Sequence, residues 1–379
     1  MDLHIQSFSL RNFRNYRSFE MDDVDSLTMF IGPNATGKSN VLEAIQLVTS
    51  ATTFRGAKSR EMIRWGCERA DVKAHIVSDT RDLETSMKLT EGGRSIAVNG
   101  KRKHGQDVLG ILPSVMFSPE DMQLITGAHG FRRDALDALG SQLSRTHRVL
   151  RRDYLKIVKH KNSLMKNGVE GSLLDSVNDM LVTSGAHLYV YRAALFDNLA
   201  VRIARAYSEI SSSGETLDMR YVPSWEDADL YSDRMRDAAY LFEVEECSNR
   251  MRRSLFDRHD EESRRGRALV GPHADKLFFY LDGRNATLYG SQGQRRSIAL
   301  SWKIAEIGLI EDVLGLKPIL LLDDVASELD ESRREALIGL LHHDIQTFIT
   351  TTDMGAFEKS IANGARVVDM HSIHADGRD

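Results

Sequence analysis

Gly32-Pro33-Asn34-Ala35-Thr36-Gly37-Lys38-Ser39 decides the fold. It fits the phosphate-loop pattern G-x-x-x-x-G-K-[ST], whose glycines let backbone N–H groups close around phosphate oxygens while the following helix N-terminus adds a favourable dipole. Residues 27–31 ahead of it read as an apolar strand, and an amphipathic helix begins near Lys38. A plain Gly-rich turn is the competing reading, and the placement between strand and helix argues against it. Lys38 is expected at the β- and γ-phosphates of ATP, and Ser39 is expected to ligate Mg²⁺ through its hydroxyl. The expected cradle runs from Gly32 to Asn40.

Further along, Ile319-Leu320-Leu321-Leu322-Asp323-Asp324 is an apolar run ending in two carboxylates, the pattern of a buried parallel strand that delivers acids at its C-terminal edge. Asp323 is expected on the Mg²⁺ side and Asp324 on the water side of the γ-phosphate. Ser291-Gln292-Gly293-Gln294, with a helical run from Arg295 to Ile310, resembles the signature motif of ABC-type ATPases. Ser327-Glu328-Leu329-Asp330 resembles their D-loop. Each four-residue string is weak alone, since Ser-Gln-Gly-Gln also makes a polar helix start. In this order and spacing the set points to an ABC-type head, with catalytic weight on Lys38, Asp324 and Ser291.

The first hundred or so residues mix β and α, with strand patterns at 3–10, 27–31, 72–78, 84–89 and 94–98 and a hairpin turn at Asn99-Gly100. From about 119 to 265 the period is 3.6, broken at 211–214; strands return at 277–281, 319–323, 347–351 and 366–369. The chain therefore reads as an α/β P-loop head with mixed sheets, 1–118 and 266–371, an inserted mainly helical lobe, 119–265, and a polar tail, 372–379. Hydrophobic residues make up 41% and charged residues 28%, values of an ordinary globular chain. No basic leader opens the sequence and no window approaches the ~20 apolar residues of a membrane span, so a cytoplasmic protein with no membrane partner is expected. Two cysteines, Cys67 and Cys247, make a disulfide framework or Cys-based metal site a poor reading.

Leu10-Arg11-Asn12-Phe13-Arg14-Asn15-Tyr16, Met116 to Asp121, Val270-Gly271-Pro272-His273, the signature segment, Leu321 to Val325 and Phe348 to Asp353 together resemble the RecF family nearly end to end. The resemblance implies an ATP-dependent DNA-binding protein of recombinational gap repair that acts with RecO and RecR in recombinase loading, with ties to replication and the SOS response. It implies slow, DNA-stimulated hydrolysis of ATP to ADP and phosphate, and an ATP-dependent homodimer in which Ser291, Gly293 and Gln294 of one chain face the ATP of the other. By position, Arg14 matches a residue that touches nucleotide in related heads, Asp330 belongs to the D-loop, and Thr352 stands where other ABC-type heads carry a γ-phosphate-sensing His. Ser118, Glu120 and Gln123 lie where a Q-loop glutamine is sought. His273 reads as a satisfied structural histidine rather than a catalytic one.

The net charge of -5 gives no global attraction to nucleic acid. Between Phe131 and Asn167, however, ten Lys or Arg face three Asp. Read as a helix, Arg145, Arg148, Arg152, Lys156, Lys159 and Lys166 form a basic stripe beside an apolar seam of Leu143, Leu150, Tyr154, Ile157 and Leu164. Such a stripe suits the phosphates of duplex DNA or a single-strand/double-strand junction; a solvated face balanced by neighbouring acids is the alternative. Among other functions, an ABC transporter ATPase subunit conflicts with the long helical insert, Asp324 in place of Glu and Thr352 in place of His. A long-armed chromosome ATPase lacks its sustained heptads. Retention of Lys38, Ser39, Asp323 and Asp324 together argues against a vestigial scaffold.

Overall fold

A computed structural model describes residues 3–211, 214–226, 243–325, 330–341, 344–352 and 364–371. Ser327, Glu328 and Leu329 of the D-loop segment, and the tail from 372, lie outside the described residues. The chain forms two compact units: residues 1–121 with 306–379, and residues 122–305.

In the first unit, β1 (His4–Phe13), β2 (Tyr16–Met21), β4 (Arg69–Val77), β5 (Asp82–Thr90), β6 (Gly93–Val98) and β7 (Lys101–Lys103) make an antiparallel sheet ordered β2-β1-β4-β5-β6-β7. Alternation fixes its faces: Phe8, Leu10, Val72, Ala74, Met87 and Ile96 point into the core, and the residues between them point out. A second, parallel sheet is ordered β14-β3-β13-β12-β8 from β3 (Leu27–Ile31), β8 (Ser114–Phe117), β12 (Ile319–Asp323), β13 (Thr347–Thr351) and β14 (Arg366–Asp369). Helix α1 (Lys38–Ser50) packs against strands of both, burying Val41, Leu42, Ile45 and Val48. β12 and β13 are buried at every position, as continuous apolar strands of a covered parallel sheet are.

The second unit is built on helices His129–Leu143, Arg145–Lys166, Ser172–Ile210 and Val244–Asp257, with a small sheet of β9 (Leu217–Val222), β10 (Lys276–Leu281) and β11 (Arg284–Asn285). β9 adds a strand to the lobe read as mainly helical over 119–265; Leu217, Met219 and Tyr221 alternate inward, and the strand is held by full pairing with β10. Residues 266–305, read from sequence as head, lie in this compact unit. Polar residues hold its interior as well. Asp137 receives Arg192 through Nε at 2.9 Å and Nη2 at 2.8 Å, Arg151 at 2.7 Å and His147 at 3.2 Å. Burial opposes that carboxylate's charge, yet the Arg192 guanidinium leads the groups that hold its pKa well below the usual range. Asp275, fully buried, accepts from the Tyr221 hydroxyl at 2.5 Å and the Ser224 N–H at 2.8 Å, and burial raises its pKa to about 6.

Candidate nucleotide site

The turn from β3 into α1 needs two left-handed residues, Ala35 at φ 67° and Gly37 at φ 94°. A Cβ on Gly37 would lie 2.5 Å from the Asn15 side chain and 2.9 Å from the Tyr16 hydroxyl, so only glycine fits there. Those neighbours brace the loop from the β1–β2 turn. Tyr16 donates to the Gly37 carbonyl at 3.0 Å, Asn15 to the Thr36 carbonyl at 3.4 Å, and Asn40 to Asn15 at 2.7 Å. Thr36 closes on the Pro33 carbonyl at 2.9 Å. Pro33, Asn34 and Ala35 are exposed at the crest.

Lys38 is buried, and its ammonium donates to the carbonyls of Gly32 at 2.6 Å and Pro33 at 2.8 Å. Burial lowers its pKa, against the pull of Asp324 and Asp323. Ser39 donates to Asp323 Oδ1 at 2.6 Å across 284 residues of sequence. Thr350, opposite Asp323 in the parallel register of β12 and β13, donates to the same oxygen at 2.7 Å. Asp324 follows with φ 51°, its N–H on the carbonyl and hydroxyl oxygens of Thr350, each at 3.1 Å. The phosphate loop and both acids thus meet at the C-terminal edge of the parallel sheet, where open α/β sheets bind ligands. Thr352 is exposed one residue past Thr351, whose carbonyl accepts from Gly32 N–H at 3.4 Å. Ser118 directly follows β8 on the same edge, its N–H on Asp121 at 2.7 Å.

Arg14, at φ 53°, forms a two-point ion pair with the buried Glu43 of α1 at 2.9 and 2.8 Å and donates to the Glu61 carbonyl at 2.8 Å. The second unit holds the signature segment. Ser291 is exposed before the helix Gln292–Leu314; its Oγ accepts from Gln294 N–H at 3.2 Å, and Gln294 Oε1 accepts from Ser291 N–H at 2.6 Å. This is a reciprocal capping box, with Gly293 in its first turn. Exposed Leu288 and Tyr289 precede it. Asp330 caps the helix Glu331–Leu341 through the Arg333 N–H at 3.1 Å. His273 accepts from the Tyr154 hydroxyl at 2.6 Å on Nδ1 and donates from Nε2 to the Ala268 carbonyl at 3.1 Å, with burial lowering its pKa to about 4. It is a neutral, satisfied histidine.

The predicted basic stripe lies on one helix, Arg145–Lys166, and Arg145, Arg152, Lys156, Lys159 and Lys166 are exposed. Arg148 is partly buried and donates to the Ser141 carbonyl at 2.7 Å, and Arg152 and Lys156 both pair with Asp153, at 2.8 and 3.5 Å. The buried seam is His147, Tyr154, Val158, Lys161 and Met165; of the apolar set expected, Tyr154 lies in it and Leu150 and Ile157 pack half-buried beside it. Sequence reading missed Thr350, Asn15, Tyr16 and Glu43, whose roles come from strand register and packing. The Thr350-Thr351-Thr352 run at a strand end was the one local hint.

Comparison with known proteins places the chain among relatives of the same fold. The family model described as the RecF/RecN/SMC N terminal domain matches residues 4–374. The chain is 33% identical to the DNA replication and repair protein RecF of Lactobacillus delbrueckii subsp. bulgaricus, over 98% of this chain and 96% of that one. It is 34% identical to the RecF of Lactobacillus acidophilus over 98% of each. Among solved structures, the recombination mediator protein RecF with ATP in the RecFOR pathway superposes with a TM-score of 0.82 at 29% identity, covering 94% of both chains. An Smc head domain from Pyrococcus furiosus shares the fold alone, with a TM-score of 0.53 at 14% identity over 97% of this chain and 94% of that one. With its phosphate loop and carboxylates on one sheet edge and nearly its whole length matched, the chain belongs to the RecF family of ABC-type ATPase heads.

Proposed function

We propose that this chain is an ATP-switched DNA-binding protein of recombinational repair, with slow hydrolysis stimulated by DNA. The observation that carries the reading is the 2.6 Å contact of Ser39 with Asp323, which brings the phosphate loop and the acidic strand end to one point. Mg²⁺ fits there: a hydroxyl and a carboxylate converge, and among the described residues no group of three or more His, Cys, Asp or Glu offers an all-protein cage. That is the donor set of an ion that keeps waters and phosphate oxygens. Bound by Ser39 and Asp323, it would offset phosphate charge. Lys38 releases the Gly32 and Pro33 carbonyls to take phosphate oxygens, and Asp324 orients the attacking water. Gly32 to Asn40 form the cradle; Arg14, anchored on Glu43, braces its rear and lies near the nucleotide.

ATP then joins two copies. Ser291, Gly293 and Gln294 of one copy cover the γ-phosphate held by the other, with Asp330 and Thr352 nearby, in an isologous pair. The exposed Leu288 and Tyr289 beside Ser291 support burial there on pairing. The functional head is 1–118 with 266–371 around the lobe 119–265, because Ser291 serves the nucleotide although it lies in the second compact unit. The relatives' names support action with RecR and RecO and a part in replication. A part in the SOS response and a cytoplasmic site belong to the same reading through the family resemblance, and no described helix is long and apolar enough to cross a membrane. The transporter alternative has no support among the matched relatives. The test is sedimentation with ATP, ADP and no nucleotide. Dimer only with ATP, lost in Ser291→Arg while fluorescent-ATP binding persists, is expected; one mass in all three states, with DNA present, defeats the proposal.

A further inference from the structure

The outer face of the antiparallel sheet carries two adjacent rungs that cross its strands. One runs Ser18, Arg11, Asp71, Lys88, Ser95; the other runs Glu20, Ser9, Lys73, Ser86, Ala97, Arg102. Two cavities lie on this face, of about 610 and 370 Å³, and they share Asp71 and Lys73 in their linings. Arg17 and Arg69 line the larger one too. Six cations against Glu20 and Asp71 give the face a surplus of four in a chain whose total is -5.

The cations are also available. Asp71 pairs with Arg69 at 3.6 Å, but Arg11, Arg17, Lys73, Lys88 and Arg102 make no ion pair or side-chain hydrogen bond among the described residues. Between them stand Ser9, Ser18, Ser86, Ser95 and Ala97, short side chains that let another backbone approach closely. From β1 to β7 there are four strand intervals, about 19 Å at the usual ~4.8 Å spacing. A single phosphate would occupy one corner of such a row; a polyanion occupies all of it.

We propose that this sheet face is a docking surface for the sugar-phosphate backbone of duplex DNA. The proposal rests on the DNA-binding reading above and moves its principal contact away from the helix Arg145–Lys166. Charge complementarity selects the occupant. The outward rungs contain no aromatic side chain, so they hold backbone rather than stack bases.

The test is anisotropy of a labelled duplex with ATP and Mg²⁺ across a salt series, using the full chain. Arg11→Gln, Lys73→Gln, Lys88→Gln and Arg102→Gln together should weaken binding at least about tenfold and reduce the salt slope by about 4, one for each phosphate that is no longer neutralised. The pair Lys88→Gln with Arg102→Gln should reduce it by about 2. Fluorescent-ATP affinity and melting temperature should stay at parental values in both, which separates damage to the docking surface from damage to the fold. Parental duplex affinity and slope in both variants overturn the proposal, including the case where they lose only an acidic peptide ligand. A parental chain that binds no duplex with ATP defeats the DNA reading itself, and this inference with it.

Discussion

The helix Arg145–Lys166 and the outer sheet face are both rich in Lys and Arg, but they use them differently. Of the ten cations between Phe131 and Asn167, Arg132 is buried among the carbonyls of Leu124, Ile125 and Leu277. Arg151 holds Asp137, Lys161 holds Glu262 at 2.5 Å with no exposed surface, and Arg152 and Lys156 share Asp153. On the sheet, five cations face solvent with no described partner. A charge count along the sequence therefore locates cations without saying which are internal ties and which are offered to a partner. Pairing geometry makes that distinction, since an ion pair on a surface has already neutralised much of its field.

Removing an internal tie should show the largest effect. Arg192→Met leaves Asp137 without its two-point partner, and one-sided loss of a buried pair costs about 3–5 kcal/mol. Hydrogen exchange of core amides in 122–305 should report that loss, while the salt slope of the remaining folded protein for duplex stays unchanged. A stability change under about 1 kcal/mol would mean these arginines are not structural ties and would break the contrast.

The acids give an effect of intermediate size and opposite signs. Asp137, with its folded pKa depressed, stabilises above the unfolded carboxylate pKa, and that contribution is lost as pH falls through the acid range. Asp275 is raised to about 6; its contribution is full below the unfolded pKa near 4 and is lost as pH rises through 6, an effect of up to about 3 kcal/mol. Asp275→Asn should flatten the stability profile between those values in urea titrations. A profile that keeps its parental slope would assign the proton uptake to another group.

The smallest effect is expected where the stripe still offers charge. Lys159 and Lys166 have no carboxylate partner among the described residues. Neutralising both should change the salt slope for duplex by less than about 1, against about 4 for the sheet set. A drop of 2 or more would make the helix an equal partner in DNA contact and erase the distinction.

Most of the fold was legible because its signals are local. The phosphate loop, the apolar run before Asp323, the Asn99-Gly100 turn and the four late strands each carry their evidence within a few residues. β2, β8 and β9 were not read, since a strand such as Leu217–Val222 is settled by its pairing with β10, 54 residues away at Lys276–Val222. The seam of the basic helix was legible only in part, through Tyr154, Leu150 and Ile157, for a chemical reason. His147 and Lys161 face inward because Asp137 and Glu262 await them, and hydropathy cannot register a buried polar residue whose partner lies elsewhere in the chain. Thr350 escaped for the same cause: only the parallel register puts it beside Asp323.

The order β14-β3-β13-β12-β8 has a consequence for the birth of the molecule. β3, which launches the phosphate loop, is flanked only by β13 and β14, and both are synthesised more than 300 residues later. At about 5–20 residues per second, that apolar strand emerges from the ribosome with two unpaired edges and waits some tens of seconds for its neighbours. The nascent chain therefore cannot present a complete ATP site until its last quarter is made, and its longest aggregation hazard is the segment that will later bind nucleotide.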